Sequence, residues 1–405
     1  MDDENHFFRT ETDLVTEEAR KRKAARTKHL GAPIDVPGKP LAIQIKGSEL
    51  WVAQSDHVVR KLDLESGAIS QVYRGHTGPV TVLALLDDPI DKNAPPLLIS
   101  GSWDKAVNIW DTKDKSLISS TDAHSDFIKC VFPLPELKLL ISSGSDKVVR
   151  FWDMTDPRSK KPLKNLGVIS AHTRPVQCVA ADVHSSSSAT LYTADSMGVI
   201  LIWTLERVYG EVPICRATQI GALDIHRTGV NDLWYGHGQL WSGSSDETAI
   251  LTHHPPPSTP IPTNARKPVA PLTHPEAVKA ILPLALTPVG EPLLLTASGD
   301  ALRLYDVNDP TAPELLSTTD AHWLNVTALR LWFRRTADKG GRVGVESWIV
   351  SASLDGTVRR WRLADLISPP KEPPKQPAEE TKLTSSTQLT AEEEAELAEL
   401  MEDDD

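Results

Sequence analysis

Three times along this chain a serine, a histidine and an aspartate recur at related spacings. The sets are His76 with Ser100 and Asp104, His124 with Ser142 and Asp146, and His322 with Ser351 and Asp355. In a hydrolase such a trio lets the histidine take the serine proton while the aspartate orients the imidazole. Repetition argues against that use, because an active site needs one accessible copy and a set repeated in phase is a rule of construction. No G-x-S-x-G elbow, Walker loop, kinase signature or H-E-x-x-H pair accompanies the trios. Catalysis is not expected. Metal chemistry is no better supplied. His253–His254 is an adjacent pair, but it opens the run PPPSTPIPT with no cysteine or acidic residue beside it. Cys130, Cys178 and Cys215 are isolated from one another, and FIKC and PVQC place the first two at matching points of apolar strands, as small core residues. No cofactor or metal is implied.

The elements that must position these residues follow from the period. His76, His124, His172, His226, His274 and His322 stand 48, 48, 54, 48 and 48 residues apart. Periods of about 40–50 residues mark solenoids, propellers or arrays, in which one unit cannot bury its apolar face alone. After each histidine come short Val/Ile/Leu runs such as VTVLALL, LLIS and VQCVAA. Tight turns punctuate them: SGSWD (Ser100–Asp104), SSGSD (Ser142–Asp146), SGSSD (Ser242–Asp246), TASGD (Thr296–Asp300) and SASLD (Ser351–Asp355). A further run closes on an aromatic residue at Trp110, Trp152, Trp203 and Trp361. These are short strands bounded by turn chemistry.

Gly75–His76 with Trp110–Asp111, and Ala123–His124 with Trp152–Asp153, resemble the GH…WD signature of the WD40-repeat family. The resemblance covers roughly residues 38–366 and implies an all-β, seven-bladed propeller with four strands per blade. GKPLAIQI, ELWVAQ and HVVRKLDL supply the first blade, with Lys39 where the histidine would stand. The last blade lacks an outer strand of its own, and Ala32–Val36 is the β-compatible segment that could provide it. In the family, His, Ser, Asp and Trp hydrogen-bond in series. The full sets here are His76, Ser100, Asp104 and Trp110; His124, Ser142, Asp146 and Trp152; and His322, Ser351, Asp355 and Trp361. Blade 4 is expected to depart, with Met197 at the turn-aspartate position; blade 5 has Thr252 in place of Trp, and blade 6 has Tyr305 after a shortened strand. The resemblance also implies a partner-binding face made by the turns, displaying Trp103, Phe127, Arg174, Met197, Arg227 and Trp323.

Residues 1–30 and 368–405 read as attachments to a propeller spanning 31–367. Residues 364–405 carry thirteen Asp/Glu and three Lys, and residues 1–30 carry seven of each sign, which leaves residues 31–363 at −2 of the chain's −12. A near-neutral body does not advertise the basic face that phosphate binding needs. Thr10–Leu30 is rich in helix formers, acidic early and basic late, as the helix dipole favours. Its run Arg20–Lys23 with Arg26 and Lys28 reads either as a nuclear-import or anionic-surface contact or as a solvated helix face. At the other end a Pro/Glu/Lys linker precedes LTAEEEAELAELMEDDD, where Leu397, Leu400 and Met401 share one face of a short acidic helix able to dock on a basic surface. No apolar run reaches the ~18 residues that span a bilayer. Few, odd-numbered cysteines point to a reducing cytoplasmic or nuclear home.

Three function classes are compatible with these features. The leading one is a non-catalytic scaffold that binds other proteins within an intracellular complex, without a small-molecule substrate, a membrane or direct nucleic-acid contact. A second is a substrate-recognition subunit of a ubiquitin ligase, although the blades end in WDTK and WDMT rather than in the WDxR common in that group. A third is a chromatin or ribonucleoprotein component, favoured by the basic N-terminal run and opposed by the neutral body.

Overall fold

A computed structural model describes residues 11–87, 95–253, 269–309, 311–337 and 343–368. Among them the chain forms seven four-stranded antiparallel sheets, flanked by helix α1 (Glu11–Thr27) and the short helix α2 (Leu363–Ile367). This is a seven-bladed, all-β propeller. Six blades use four consecutive strands. Blade 7 takes its outermost strand, Ile34–Asp35, from ahead of blade 1, with Ile34 opposite Val358 and Asp35 opposite Thr357. The closing strand falls inside Ala32–Val36, the segment nominated by the sequence.

The second strand of a blade is the most deeply buried because both of its faces are covered, its apolar residues interrupted by the small hydroxyl residues of the networks. Leu97–Ser102, Leu139–Gly144 and Leu293–Ser298 are buried at every position. The cores they feed belong to pairs of blades. One joins Leu134, Ile141 and Phe151 of blade 3 to Val179, Leu191 and Trp203 of blade 4. Another joins Ile43 and Leu62 of blade 1 to Ala328, Trp332 and Val350 of blade 7. Apolar area removed from water therefore stabilises interfaces rather than single blades.

Each first strand carries a bulge at its second residue, interrupting the register between Pro40/Ala42, Val80/Val82, Ile128/Cys130, Val176/Cys178, Val230/Asp232, Val278/Ala280 and Val326/Ala328. A bulge re-aims a side chain, and here it aims several at the next blade. Thr81 Oγ1 donates to Ile128 O (2.9 Å), Asn231 Nδ2 to Val278 O (2.7 Å) and Thr327 Oγ1 to Pro40 O (3.1 Å). Gln44 Nε2 to Leu83 O (3.0 Å), Ser143 Oγ to Val176 O (3.1 Å) and Cys178 Sγ to Val230 O (3.6 Å) stitch three more boundaries. Between blades 6 and 7 the link is backbone, Val326 N to Gly299 O at 2.8 Å.

Closure is reinforced by two arginines of the last strand. The buried Arg359 guanidinium donates to Thr27 O and to Leu30 O, and Arg360 N donates to Gly31 O at 2.6 Å. Gly31 turns there with φ +66°, and a Cβ would collide with the Trp361 indole. The sequence reads Arg334–Glu346 as a lengthened connection between the first two strands of blade 7, and His253–Pro268 as replacing the outer strand between blades 5 and 6; the structure changes both readings. Arg334–Glu346 lengthens blade 7 as strand rather than loop at both ends, since Val326–Ala337 pairs with Val343–Ser353 and Arg334 lies opposite Glu346. Blade 5 keeps an outer strand, reduced to Leu272–Thr273. Residues 88–94 and 254–268, the greater part of the stretches Asp87–Pro96 and His253–Pro268 that the sequence reads as insertions, lie outside the described residues, as do Leu397, Leu400 and Met401.

Removing the Arg359 guanidinium takes one donor from Leu30 O and one from the buried Thr27 O, which keeps only the Leu30 N–H. Arg359→Ala is therefore expected to lower unfolding stability by about 1–3 kcal/mol, read by chemical denaturation. Stability unchanged within error would mean that closure does not depend on this residue.

Candidate functional site

The residues that resemble a catalytic trio form closed hydrogen-bond series inside the blades. In blade 2, Trp110 Nε1 donates to Ser100 Oγ (2.8 Å), Ser100 Oγ meets His76 Nε2 (2.8 Å), and His76 Nδ1 meets Asp104 Oδ2 (2.8 Å). Blade 3 repeats it through Trp152, Ser142, His124 and Asp146 at 2.8, 2.7 and 2.9 Å. Blade 7 does so through Trp361, Ser351, His322 and Asp355 at 2.9, 2.8 and 2.9 Å. Assigning protons from these partners gives a neutral imidazole that donates from Nδ1 and accepts the serine proton at Nε2. Each serine is fully buried, gives its proton away and receives an indole N–H. A nucleophile needs an approach for substrate and donors for the developing oxyanion; these oxygens have their hydrogen-bonding capacity filled by the fold.

Blade 4 differs from its sequence expectation. Met197 does occupy the turn position, but Asp195, two residues earlier and on the strand itself, reaches His172 Nδ1 at 3.2 Å. Thr193 stands for the serine, bonding His172 Nε2 (2.7 Å) and Trp203 Nε1 (2.9 Å). A fourth complete series therefore exists, hidden by a two-residue displacement of its carboxylate. Blade 5 keeps Ser242–His226 (2.7 Å) and His226–Asp246 (3.2 Å) without an indole. Blade 6 keeps Thr296–His274 (2.9 Å), but His274 Nδ1 turns to Leu272 O (3.1 Å) and Tyr305 packs edge-on against the ring. The cause is a shorter turn: Thr296 pairs with Arg303, seven residues on, whereas Ser100 pairs with Asn108, eight on. The lost residue directs Asp300 away from His274. In blade 1 the positions matching serine and indole are Val52 and Leu62, both buried, so apolar packing replaces the network.

A second set of residues faces outward. First-strand starts and second-strand ends lie together, as Val80 opposite Ser102 shows, so the turns carrying Trp103 and Met197 share one end of the ring with the loops carrying Phe127, Arg174, Arg227 and Trp323. Trp103 and Phe127 stack across blades 2 and 3, centroids 4.8 Å apart and planes at 18°, while remaining 41% and 38% exposed. Met197 is 51% exposed, Arg174 and Arg227 are exposed, and Trp323 is half-buried. Arg227 is steadied by Asp246, which accepts its backbone N–H at 2.8 Å. Sequence reasoning missed two lysines at this end. Lys129 and Lys279 occupy the bulge positions of blades 3 and 6, where burial pushes both ammonium groups down from their ordinary range.

The sequence pattern of the family described as "WD domain, G-beta repeat" matches residues 67–111 and 115–153, each running from the outer strand of one blade through the three inner strands of the next, blades 2 and 3. The chain is a WD40-repeat protein. An uncharacterized WD repeat-containing protein of Schizosaccharomyces pombe is 26% identical over 415 aligned positions, covering 98% of each chain. Protein Rae1 of Drosophila melanogaster is 37% identical over 67 residues, 16% of this chain and 18% of its own. WD40 propellers in general are platforms for protein interaction and not enzymes.

Electrostatics follow the geometry of this WD40 ring. Burial alone would raise the Asp146 carboxyl, but hydrogen bonds from Arg150 and His124 overcome it and hold it at about 2. Burial lowers His124, His172, His226 and His322 against the pull of their aspartates. His274 has no carboxylate partner; burial first, then the nearby Arg303, hold it at about 4 against an ordinary 6.5. Burial likewise pushes the Cys130 and Cys215 thiols up to about 12, which keeps them protonated and poor metal ligands.

Two outcomes are expected. Below pH 6.5 the unfolded chain protonates its histidines before the folded chain does, so the His274 contribution is complete above that pH and is lost as pH falls toward about 4. It amounts to on the order of 3 kcal/mol. Melting temperature should drop between pH 7.5 and 5, and His274→Gln should flatten part of the slope; an identical slope in the variant would refute the assignment. In blade 4, Thr193→Val should cost about 1–3 kcal/mol and Met197→Ala less than about 0.5 kcal/mol. Equal costs in denaturant titrations would mean that Thr193 does not serve the network.

Proposed function

We propose that this chain is a non-catalytic scaffold subunit of an intracellular multiprotein complex, and that a protein partner seats on the end of the ring bearing Trp103 and Phe127. The observation that carries the reading is the stacked, exposed aromatic pair bridging two rigid blades. Aromatic and arginine side chains are the usual energetic anchors of interfaces, and a rigid scaffold spares the partner the cost of ordering them. Arg174, Met197, Arg227 and Trp323, on the turns of blades 4, 5 and 7, form the rest of that face.

The division into extensions 1–30 and 368–405 around a propeller at 31–367 belongs to the same proposal. Unpaired, protonated thiols suit a reducing compartment, and among the described residues no helix is long and apolar enough to cross a membrane. A direct nucleic-acid role is weakened because Lys23 and Arg26 of the basic run are already held by carboxylates of blade 6. The ligase reading gains no particular support from the geometry.

Affinity purification of the full chain from cells that express it, with quantitative mass spectrometry, provides the test. Trp103→Ala/Phe127→Ala should reduce stoichiometric partners at least about tenfold, matching ~1–2 kcal/mol per anchor, without changing the melting temperature by more than about 2 °C. Leu315→Ala, on the exposed outer strand of blade 6, should leave them unchanged. A partner set equally intact in all three would move the interface elsewhere.

A further inference from the structure

Helix α1 changes character at Thr27. Beyond that residue the chain is built into the ring. Thr27 is fully buried, and its carbonyl and that of Leu30 receive the Arg359 guanidinium. Arg360 Nε donates to Ala32 O at 3.2 Å, and Ile34–Asp35 pairs with the last strand. Before Thr27 the attachment is ionic. Lys23 Nζ lies 2.6 Å from Asp300 Oδ1 and 3.5 Å from Asp320 Oδ1, and Arg26 Nη2 lies 2.5 Å from Asp320 Oδ2. Other charges pair along the helix itself, Lys21 with Glu17 (2.9 Å) and Arg22 with Glu18 (2.5 Å). The apolar Leu14 and Val15 face solvent.

The notch that receives Lys23 and Arg26 is a product of the blade 6 deviation. The shortened turn sends Asp300 outward, and Asp320 ends the outer strand Glu314–Asp320 beside it. Two carboxylates side by side match an ammonium and a guanidinium one turn apart on a helix. Such pairs at a surface are individually weak and screened by salt. A helix of 17 residues is marginal in water without tertiary support, so losing the notch also costs α1 its helicity. The segments on either side of Thr27 thus differ in what holds them, which is the condition for opening one without the other.

We propose that residues 11–26 form a releasable strap, clasped to blade 6 by Asp300 and Asp320 and hinged at Thr27, so that the strap leaves while the ring stays closed. Release uncovers Lys23 and the acidic notch, while Arg20, Lys21 and Arg22 are exposed in either state.

Hydrogen–deuterium exchange on the full-length protein tests this. Asp300→Asn/Asp320→Asn should accelerate exchange across residues 15–26 about tenfold, and raising salt from about 0.05 M to about 0.5 M should do the same to the unaltered chain. Amides of residues 357–361, on the closing strand, should keep their protection. Exchanging the charges, Lys23→Asp with Asp300→Lys, should restore slow exchange that either single change abolishes. Unaltered α1 exchange in the Asn variant, loss of protection in α1 and residues 357–361 together, or failure of the exchanged pair to rescue would each overturn the proposal.

Discussion

The blades of this ring own half a core each, and everything else in the structure depends on that sharing. Phe151 and Trp203, or Leu62 and Trp332, belong to one core that spans a boundary between blades rather than to the core of a single sheet. A blade on its own would leave those faces wet and could not offset its conformational entropy. Stability must therefore come from neighbours in sequence around the circle, and the circle has to close for the first and last blades to have neighbours at all. The arginines that bind Thr27, Leu30 and Gly31 serve that end. The bulge-directed stitches add direction: each passes a hydrogen bond forward to the next blade, setting how far one sheet is rotated against another.

Within this frame the histidine networks tie the loop end of a blade to its third strand. Their variation from blade to blade shows what is required and what is not. Thr can replace Ser, as in blades 4 and 6, because the hydroxyl does the bonding. The indole is dispensable, as blade 5 shows, and in blade 1 the whole network gives way to Val52 and Leu62. A buried polar series is useful when every member is satisfied and is otherwise better replaced by hydrocarbon. Intermediate cases survive by borrowing a backbone carbonyl, as His274 does from Leu272.

Much of this was legible in the residues. Six histidines at a near-constant stride, with one further unit ahead of them that carries Lys39 in the histidine's place, gave the blade number, and apolar runs between Ser/Gly/Asp turns gave the strands. Closure from Ala32–Val36 followed from the missing outer strand. What escaped had physical causes. Counting positions placed Met197 opposite Asp104, yet a carboxylate two residues earlier can reach the same imidazole from the strand end. The turn of blade 6 loses one residue, which a linear reading records as a shortened strand without showing that Asp300 then points outward. Nothing local in Lys23 indicates Asp300, because the pair is created by closing the ring. The stack of Trp103 on Phe127 likewise joins two blades, and neither residue's own sequence surroundings indicate the other.

The pairing of Ile34 with Val358 joins positions roughly 320 residues apart, a separation that slows folding because a long loop must be closed before the contact rewards it. On the ribosome the closing strand emerges ahead of blade 1 and its partner only after blades 1 to 6. Throughout synthesis, then, Ile34–Asp35 has no edge to join, while each new blade leaves an unpaired face toward the missing next one. A growing chain in this condition is a string of sticky, half-finished sheets, and its period of vulnerability ends in one late event. The architecture that makes the finished ring rigid thereby sets the time during which the nascent chain most needs protection from aggregation.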